Sequence, residues 1–222
     1  MTETNSTDNC RSRQRLPRGR GPVKFLDRQR KAQMIEAILA DYLVAPVRGY
    51  KILDVGSGNG DISEYLNAHN EVFSVDVQDV RVNSDNGIPF VQVSDEHLPF
   101  EDNFFDIVLS HHVIEHVGDQ GLHLNEIRRV LTDDGICYMA TPNKSSPIME
   151  GHLDNEKVLR YRNMRPLFES ARFQVNEYGL KVFTEPEKYF CEISVGRFLP
   201  AFMIKPLKGL FPSHMFVLKP AF

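Results

Sequence analysis

The chain contains no tryptophan and only three cysteines in 222 residues. Cys10, Cys137 and Cys191 are widely spaced and form no Cys-x-x-Cys pair. That excludes a disulfide framework and a thiolate zinc site, and it fits a reducing compartment. No apolar run reaches the about 18 residues that a membrane-crossing helix needs, so none is expected. The first residues lack an apolar signal core, and Glu3 and Asp8 run against the acid-poor composition of a transit peptide. A cytoplasmic location is therefore the expectation.

Charged residues make up 25% and hydrophobic residues 41%, which is the range of an ordinary globular domain rather than of a disordered or membrane chain. The net charge of -4 conceals an asymmetry. Residues 1–31 hold nine Lys/Arg against Glu3, Asp8 and Asp27, which leaves the remainder at minus ten. A body that acidic repels nucleic-acid phosphates, so DNA is not expected as a partner. Residues 1–22 carry almost no apolar side chains and cannot bury enough surface to offset chain entropy, so a disordered basic tail is expected there.

From residue 23 to the end the sequence reads as one domain. Phe25, Ala32, Met34, Ile35, Ile38, Leu39 and Leu43 repeat at helical spacing, and Pro46 ends the segment, which predicts an N-terminal helix over 23–46. Short strands and helices then alternate. Strands are predicted at Lys51–Val55, Glu71–Val75, Phe90–Val93, Phe105–Ser110 and Ile136–Ala140. Helices are predicted at Ile62–Ala68 and over 122–131, the latter with Leu122 and Ile127 inward, and Asp133-Asp134-Gly135 reads as a turn. A helix over 155–171, a strand at Phe173–Tyr178, an irregular segment 181–213 and a last strand at Met215–Lys219 complete the chain. This alternation predicts an α/β fold, a Rossmann-like doubly wound sheet, mostly parallel, with helices on both faces. Residues 48–143 form its ligand-binding half and 144–222 its acceptor-side half.

The first predicted strand runs into Asp54-Val55-Gly56-Ser57-Gly58-Asn59-Gly60-Asp61. In open α/β sheets ligands bind beyond the carboxyl ends of the strands, where glycines let the backbone turn and approach closely. A dinucleotide fingerprint places glycines first, third and sixth, whereas here they fall first, third and fifth, with an acid ahead of them. That acid repels a pyrophosphate and suits a cation. A second acid, Asp76, ends the next strand, where it can accept ribose hydroxyls, and Asp95 follows the third strand. Taken singly, Asp54 reads equally as a turn-capping residue and Asp76 as a surface acid.

As an ordered set, five stretches resemble the class I S-adenosylmethionine-dependent methyltransferases, in particular the small-molecule branch of ubiquinone-biosynthesis enzymes. They are Ile52–Gly60, Val75–Val77, Asp95–Phe100, Phe104–Val117 and Glu126–Asn143. The resemblance implies a seven-stranded fold with S-adenosylmethionine as cofactor. It places Gly56, Ser57, Gly58 and Gly60 against the methionine and ribose, with Asp54 orienting that turn and the ammonium. It also implies Asp76 on the ribose, Val77 on the adenine, Asp95 on the adenine amino group with Glu96 beside it, and Ser110 near the reactive methyl.

Methyl transfer needs an aligned acceptor and, where the acceptor carries a proton, a base. His111 and His152 are the candidate catalytic bases; no metal is expected. His116 reads as a structural residue near the core. Segment 183–212, rich in aromatic residues with Lys205 and Lys208, reads either as ordinary packing or as an apolar acceptor pocket or membrane-surface contact for a lipid-like substrate. The expected partner is a small-molecule acceptor. The alternatives are methylation of protein or RNA, and a cofactor-binding module without chemistry.

Overall fold

The structure, a computed structural model, describes residues 28–94, 96–143, 161–185, 187–189 and 213–221. The tail 1–22, Asp95, His152 and most of 183–212 therefore lie outside the described residues. In chain order the elements are α1 (Arg28–Leu43), β1 (Lys51–Val55), α2 (Asp61–Asn67), β2 (Glu71–Asp76), β3 (Phe90–Gln92) and β4 (Phe105–His111). They are followed by α3 (Gln120–Val130), β5 (Leu131–Pro142), α4 (Tyr161–Ser170), β6 (Phe173–Glu177), α5 (Gly179–Thr184) and β7 (Ser213–Pro220).

The strands form one sheet in the order β3-β2-β1-β4-β5-β7-β6. The first five are parallel neighbours, and β7 runs antiparallel between β5 and β6. The central strands are buried on both faces, as a parallel sheet covered by helices requires. Ile52, Ile107, Leu109 and Tyr138 point toward the side chains of α1, α2 and α5. Leu53, Val55, Val108 and Met139 point toward α3 and α4. Chain order reverses between β1 and β4, which makes their carboxyl ends the switch point where α/β folds bind ligands. The sheet is thus the mixed, mostly parallel and doubly wound one that the alternation predicts.

Helix α1 lays Ala32, Met34, Ile35, Ile38 and Leu39 into the core. Asp41 fastens it to α5 and the residues just after, accepting from Lys188 Nζ and, at 3.3 Å, from Lys181 Nζ. Lys188 above all holds the Asp41 carboxyl well below the usual carboxylate range.

Three sequence expectations are corrected. Leu122 is 46% exposed, and its neighbours His123 and Leu124 face inward instead. The cause is the N-cap at Asp119, whose side chain accepts from the backbone N–H of Gly121 and Leu122 and starts α3 two residues early. Residues 181–184 are not irregular but lie in α5, a six-residue helix held by burial of Val182 and Phe183. Asp133-Asp134-Gly135 is part of a bulge inside β5, where residues 132–135 of one strand lie opposite the single residue Asp106 of the other between the pairs Phe105–Leu131 and Ile107–Ile136. Among the described residues no helix is long and apolar enough to cross a membrane. Phe183 and Tyr189, the described aromatics of segment 183–212, are buried in the core.

Candidate active site at the carboxyl ends of β1, β2 and β4

The glycine turn is pinned to the next strand. The backbone N–H groups of Gly56 and Ser57 both donate to the carbonyl of Val75, at 2.8 and 3.1 Å. The N–H of Gly58 donates to Asp76 Oδ2 at 2.8 Å, so this acid orders the turn. Gly58 has a φ of 54°, and a Cβ built on it meets nothing within 4 Å. Only glycine holds this left-handed backbone without strain, and its bare face opens outward. The Ser57 hydroxyl is buried with no hydrogen-bond partner among the described residues. An orphaned polar atom, open backbone and two acids at neighbouring strand ends form a donor set suited to a polar cationic ligand.

Asp54 is fully buried and accepts from Ser63 Oγ at 2.6 Å, while Ser74 Oγ donates to Ser63 Oγ at 2.9 Å. Burial pushes its carboxyl up to about 7; the Ser63 hydrogen bond opposes this and the nearby charge of Asp76 adds to it. An adjacent positive charge reverses that cost. Val77, next to Asp76, is 61% exposed, an apolar side chain standing free beside the site. Glu96 spans from the loop after β3 to the start of α3, accepting from the N–H groups of Gly118 and Asp119 at 2.5 and 3.1 Å. These backbone bonds, that from Asp119 foremost, hold it below the usual range.

Strand alternation sends Ser110 and His111 to opposite faces. Ser110 is buried on the α3 side, its Oγ 3.2 Å from His123 Nε2. Burial, against the charge of Glu96, lowers His123 to about 4, so this imidazole is neutral. His111 faces the α1 side. Its ring is near-parallel to Tyr138, its Nδ1 lies 3.5 Å from the tyrosine hydroxyl, and its Nε2 is buried without a partner among the described residues. Burial first, then His112 and Lys31, holds its imidazole neutral, well below the ordinary histidine range.

His112 adopts φ 60°, a left-handed backbone that non-glycine residues rarely occupy outside functional or turn positions. Its N–H donates to the Ala140 carbonyl at 2.9 Å. Its ring lies between Ser213 Oγ at 3.3 Å and Glu115 Oε1 at 3.6 Å. Burial, with Lys31 and His116, lowers it to about 4. His116 itself is exposed; the buried member of that stretch is Glu115, contrary to the sequence expectation. The sequence also gave no sign of Tyr138 or Ser213, which the sheet alone brings to His111 and His112. Asp95 and His152 lie outside the described residues.

Comparison with known proteins agrees with this geometry. Residues 53–139 match the family model described as a methyltransferase domain. The chain is 33% identical over 102 residues to the ubiquinone/menaquinone biosynthesis C-methyltransferase UbiE of Idiomarina loihiensis, which spans 40% of this chain and 41% of that protein. It is 36% identical over 90 residues to the human mitochondrial arginine-hydroxylase NDUFAF5, spanning 38% of this chain and 26% of that one. The chain thus matches less than half the length of either relative. Among solved structures, the Burkholderia thailandensis 1,6-didemethyltoxoflavin-N1-methyltransferase with bound S-adenosylhomocysteine superposes with a TM-score of 0.57 at 18% identity, covering 88% of this chain and 79% of that one. Residues 53–139 belong to the class I S-adenosylmethionine-dependent methyltransferases.

Proposed function

We propose that this chain transfers a methyl group from S-adenosylmethionine to a small-molecule acceptor. The observation that carries the reading is the pair of carboxylates, Asp54 buried and Asp76 ordering Gly58, at the ends of adjacent strands around an open glycine turn. In this reading the turn Gly56–Gly60 and the Ser57 hydroxyl receive the amino-acid and ribose portions, Asp76 accepts from the ribose, and Val77 covers one face of the adenine. Asp54 sits behind the turn and supplies charge that a cationic ligand lowers in energy. Glu96 and Ser110 act from behind, Glu96 by fixing the start of α3 and Ser110 through His123. Asp95 remains a proposal for the adenine amino group and His152 for a second base.

The bound sulfonium supplies an already activated methyl group, so the protein's tasks are alignment, exclusion of water and removal of an acceptor proton. His111 is placed for the last task, because its Nε2 is buried with no competing partner among the described residues.

Thermal-shift titration tests the reading. S-adenosylmethionine and S-adenosylhomocysteine should both raise the melting temperature, by mass action on the folded state, and NADH should not. Asp76→Ala should abolish both shifts. If neither ligand shifts the parent, the reading is wrong. Binding without label transfer from methyl-tritiated S-adenosylmethionine to a metabolite extract would reduce it to a binding module.

A further inference from the structure

We propose that Arg81 is a positioning residue for the cofactor: it ties the segment that follows β2 to the glycine turn, and so holds Val77 and residues 58–60 in fixed relation to each other. The inference rests on the methyl-transfer reading above and adds to it a residue that acts through its neighbours.

Parallel strands are usually joined by a helix, whose burial fastens the crossover to the sheet. Residues 77–89 join β2 to β3 without one. Burial at the start of this connection is inverted as well. Val77, Val80 and Val82 are 61%, 53% and 80% exposed, whereas the Arg81 side chain among them is only 10% exposed. Apolar packing therefore does little to hold residues 77–82, and that task falls to the guanidinium.

All three nitrogens of the Arg81 side chain are engaged. Nε and Nη2 fork onto the two Asp79 oxygens at 2.9 and 2.8 Å, and Nη1 donates to the Ile88 carbonyl at 3.4 Å. The guanidinium carbon lies 4.3 Å from the centre of the Phe90 ring on β3. A fork and a ring stack fix the direction of the group, which a single point charge would not. The stem of the same side chain reaches the turn: a Cβ built on Gly60, φ 86°, would stand 3.5 Å from Arg81 Cγ. The next residue completes the tie, the Val82 N–H donating to the Asn59 carbonyl at 3.2 Å.

The turn is thus held from two sides by one short stretch of chain. Asp76 orders Gly58 from the end of β2, and Arg81 with Val82 meets Asn59 and Gly60. Val77, which covers the adenine in the reading above, lies between the two holds. With Arg81 released, a ligand has to order this stretch itself, and the entropy of doing so comes off its affinity. The central sheet, whose core lies under other residues, keeps its stability.

Titration with S-adenosylhomocysteine, beside amide hydrogen exchange of the ligand-free protein, tests the inference. Arg81→Met keeps the stem and removes the fork. It should raise the dissociation constant about tenfold and speed exchange of the Val82 N–H about tenfold or more, with unfolding in urea unchanged. Arg81→Lys, which keeps the charge without the fork, should fall between. Asp79→Ala should weaken binding about as much as Arg81→Met, and the double variant little more than either, because each breaks the same contact. If the parent does not bind S-adenosylhomocysteine, the methyl-transfer reading fails and carries this inference with it, whatever the exchange shows. If the parent binds, any of three results for Arg81→Met would overturn the proposal: unchanged affinity, unchanged Val82 exchange, or a loss of unfolding free energy that matches the loss in binding. The last would make Arg81 an ordinary structural residue.

Discussion

Val113 packs directly over the α-carbon of Gly56: a Cβ placed on that glycine would stand 2.4 Å from the valine Cγ2. The contact joins the turn after β1 to the segment after β4, the two chain ends that flank the switch point. Gly56 also holds φ 69°, so Gly56→Ala suffers both the clash and left-handed strain. Strain of about 1–2 kcal/mol and overpacking of about 1–3 kcal/mol predict a loss of roughly 2–5 kcal/mol in urea unfolding. Adding Val113→Ala should recover the overpacking part but not the strain. Full recovery in the double variant would show that the backbone conformation costs nothing.

Asp54 makes a prediction about pH. Its folded-state pKa of about 7 lies above the ordinary 3.8, so the folded protein binds a proton more tightly than the unfolded chain does. Stability from this group is therefore intact below pH 3.8, declines as pH rises toward about 7, and stays low above it. A shift of this size corresponds to roughly 4 kcal/mol, an upper figure because water can relax into the site. Asp54→Asn keeps the shape and removes the charge. In the absence of ligand it should be more stable than the parent above neutrality, equal to it in acid, and should lose binding of S-adenosylmethionine. A parent and variant with parallel stability–pH curves would refute the assignment.

What the sequence disclosed follows from range. Ile107–Leu109 declares a buried parallel strand because every residue is apolar, Ile52, Leu53 and Val55 do so around one acid, and Gly56, Gly58 and Gly60 declare the turn because no other residue suits it. These are local signals. The phase of α3 was misread because eleven residues hold few turns, and the N-cap bond of Asp119 decides the start. Helix α5 was missed because GLKVFT has poor intrinsic helix propensity and is held by packing from distant elements. The pairing of Ser110 with His123 and of His112 with Ser213, 101 residues away, depends on strand order, which no local pattern contains.

Arg129 is another long-range feature. Its guanidinium donates to the carbonyls of Leu98 and Phe100, to Asp102 at 2.7 Å and to both oxygens of Glu126. Glu126 in turn accepts from the Leu98 N–H, so this ion pair ties the loop before β4 to α3. Arg129 lowers Glu126 to about 2; the stability this carries is present above pH 4.5 and is lost as pH falls through about 2. Arg129→Met leaves Glu126 and two carbonyls without their partner and should cost about 2–3 kcal/mol, less than a fully buried pair because the Arg129 side chain is 25% exposed. Arg129→Lys keeps the charge but not the fork, and should fall between. A loss below about 1 kcal/mol for the methionine variant would place the pair among surface bridges of little consequence.

Val44 is the β-branched residue among the non-glycine residues described with left-handed backbone. It follows the last residue of α1, has φ 53° and is 91% exposed. The N–H of Ala45 donates to the Ala40 carbonyl at 3.3 Å, the six-to-one bond of a Schellman cap, which puts Val44 at the position usually taken by glycine. A β-branched residue there crowds its own backbone, and its exposed side chain gains nothing from burial in exchange. Val44→Gly should therefore stabilise the protein by about 1 kcal/mol, the relieved strain less the added freedom of glycine in the unfolded chain. Val44→Ala keeps a Cβ in the same left-handed backbone and should recover little. Equal or lower stability of the glycine variant in denaturant titration would mean that the valine makes a contact that offsets its strain.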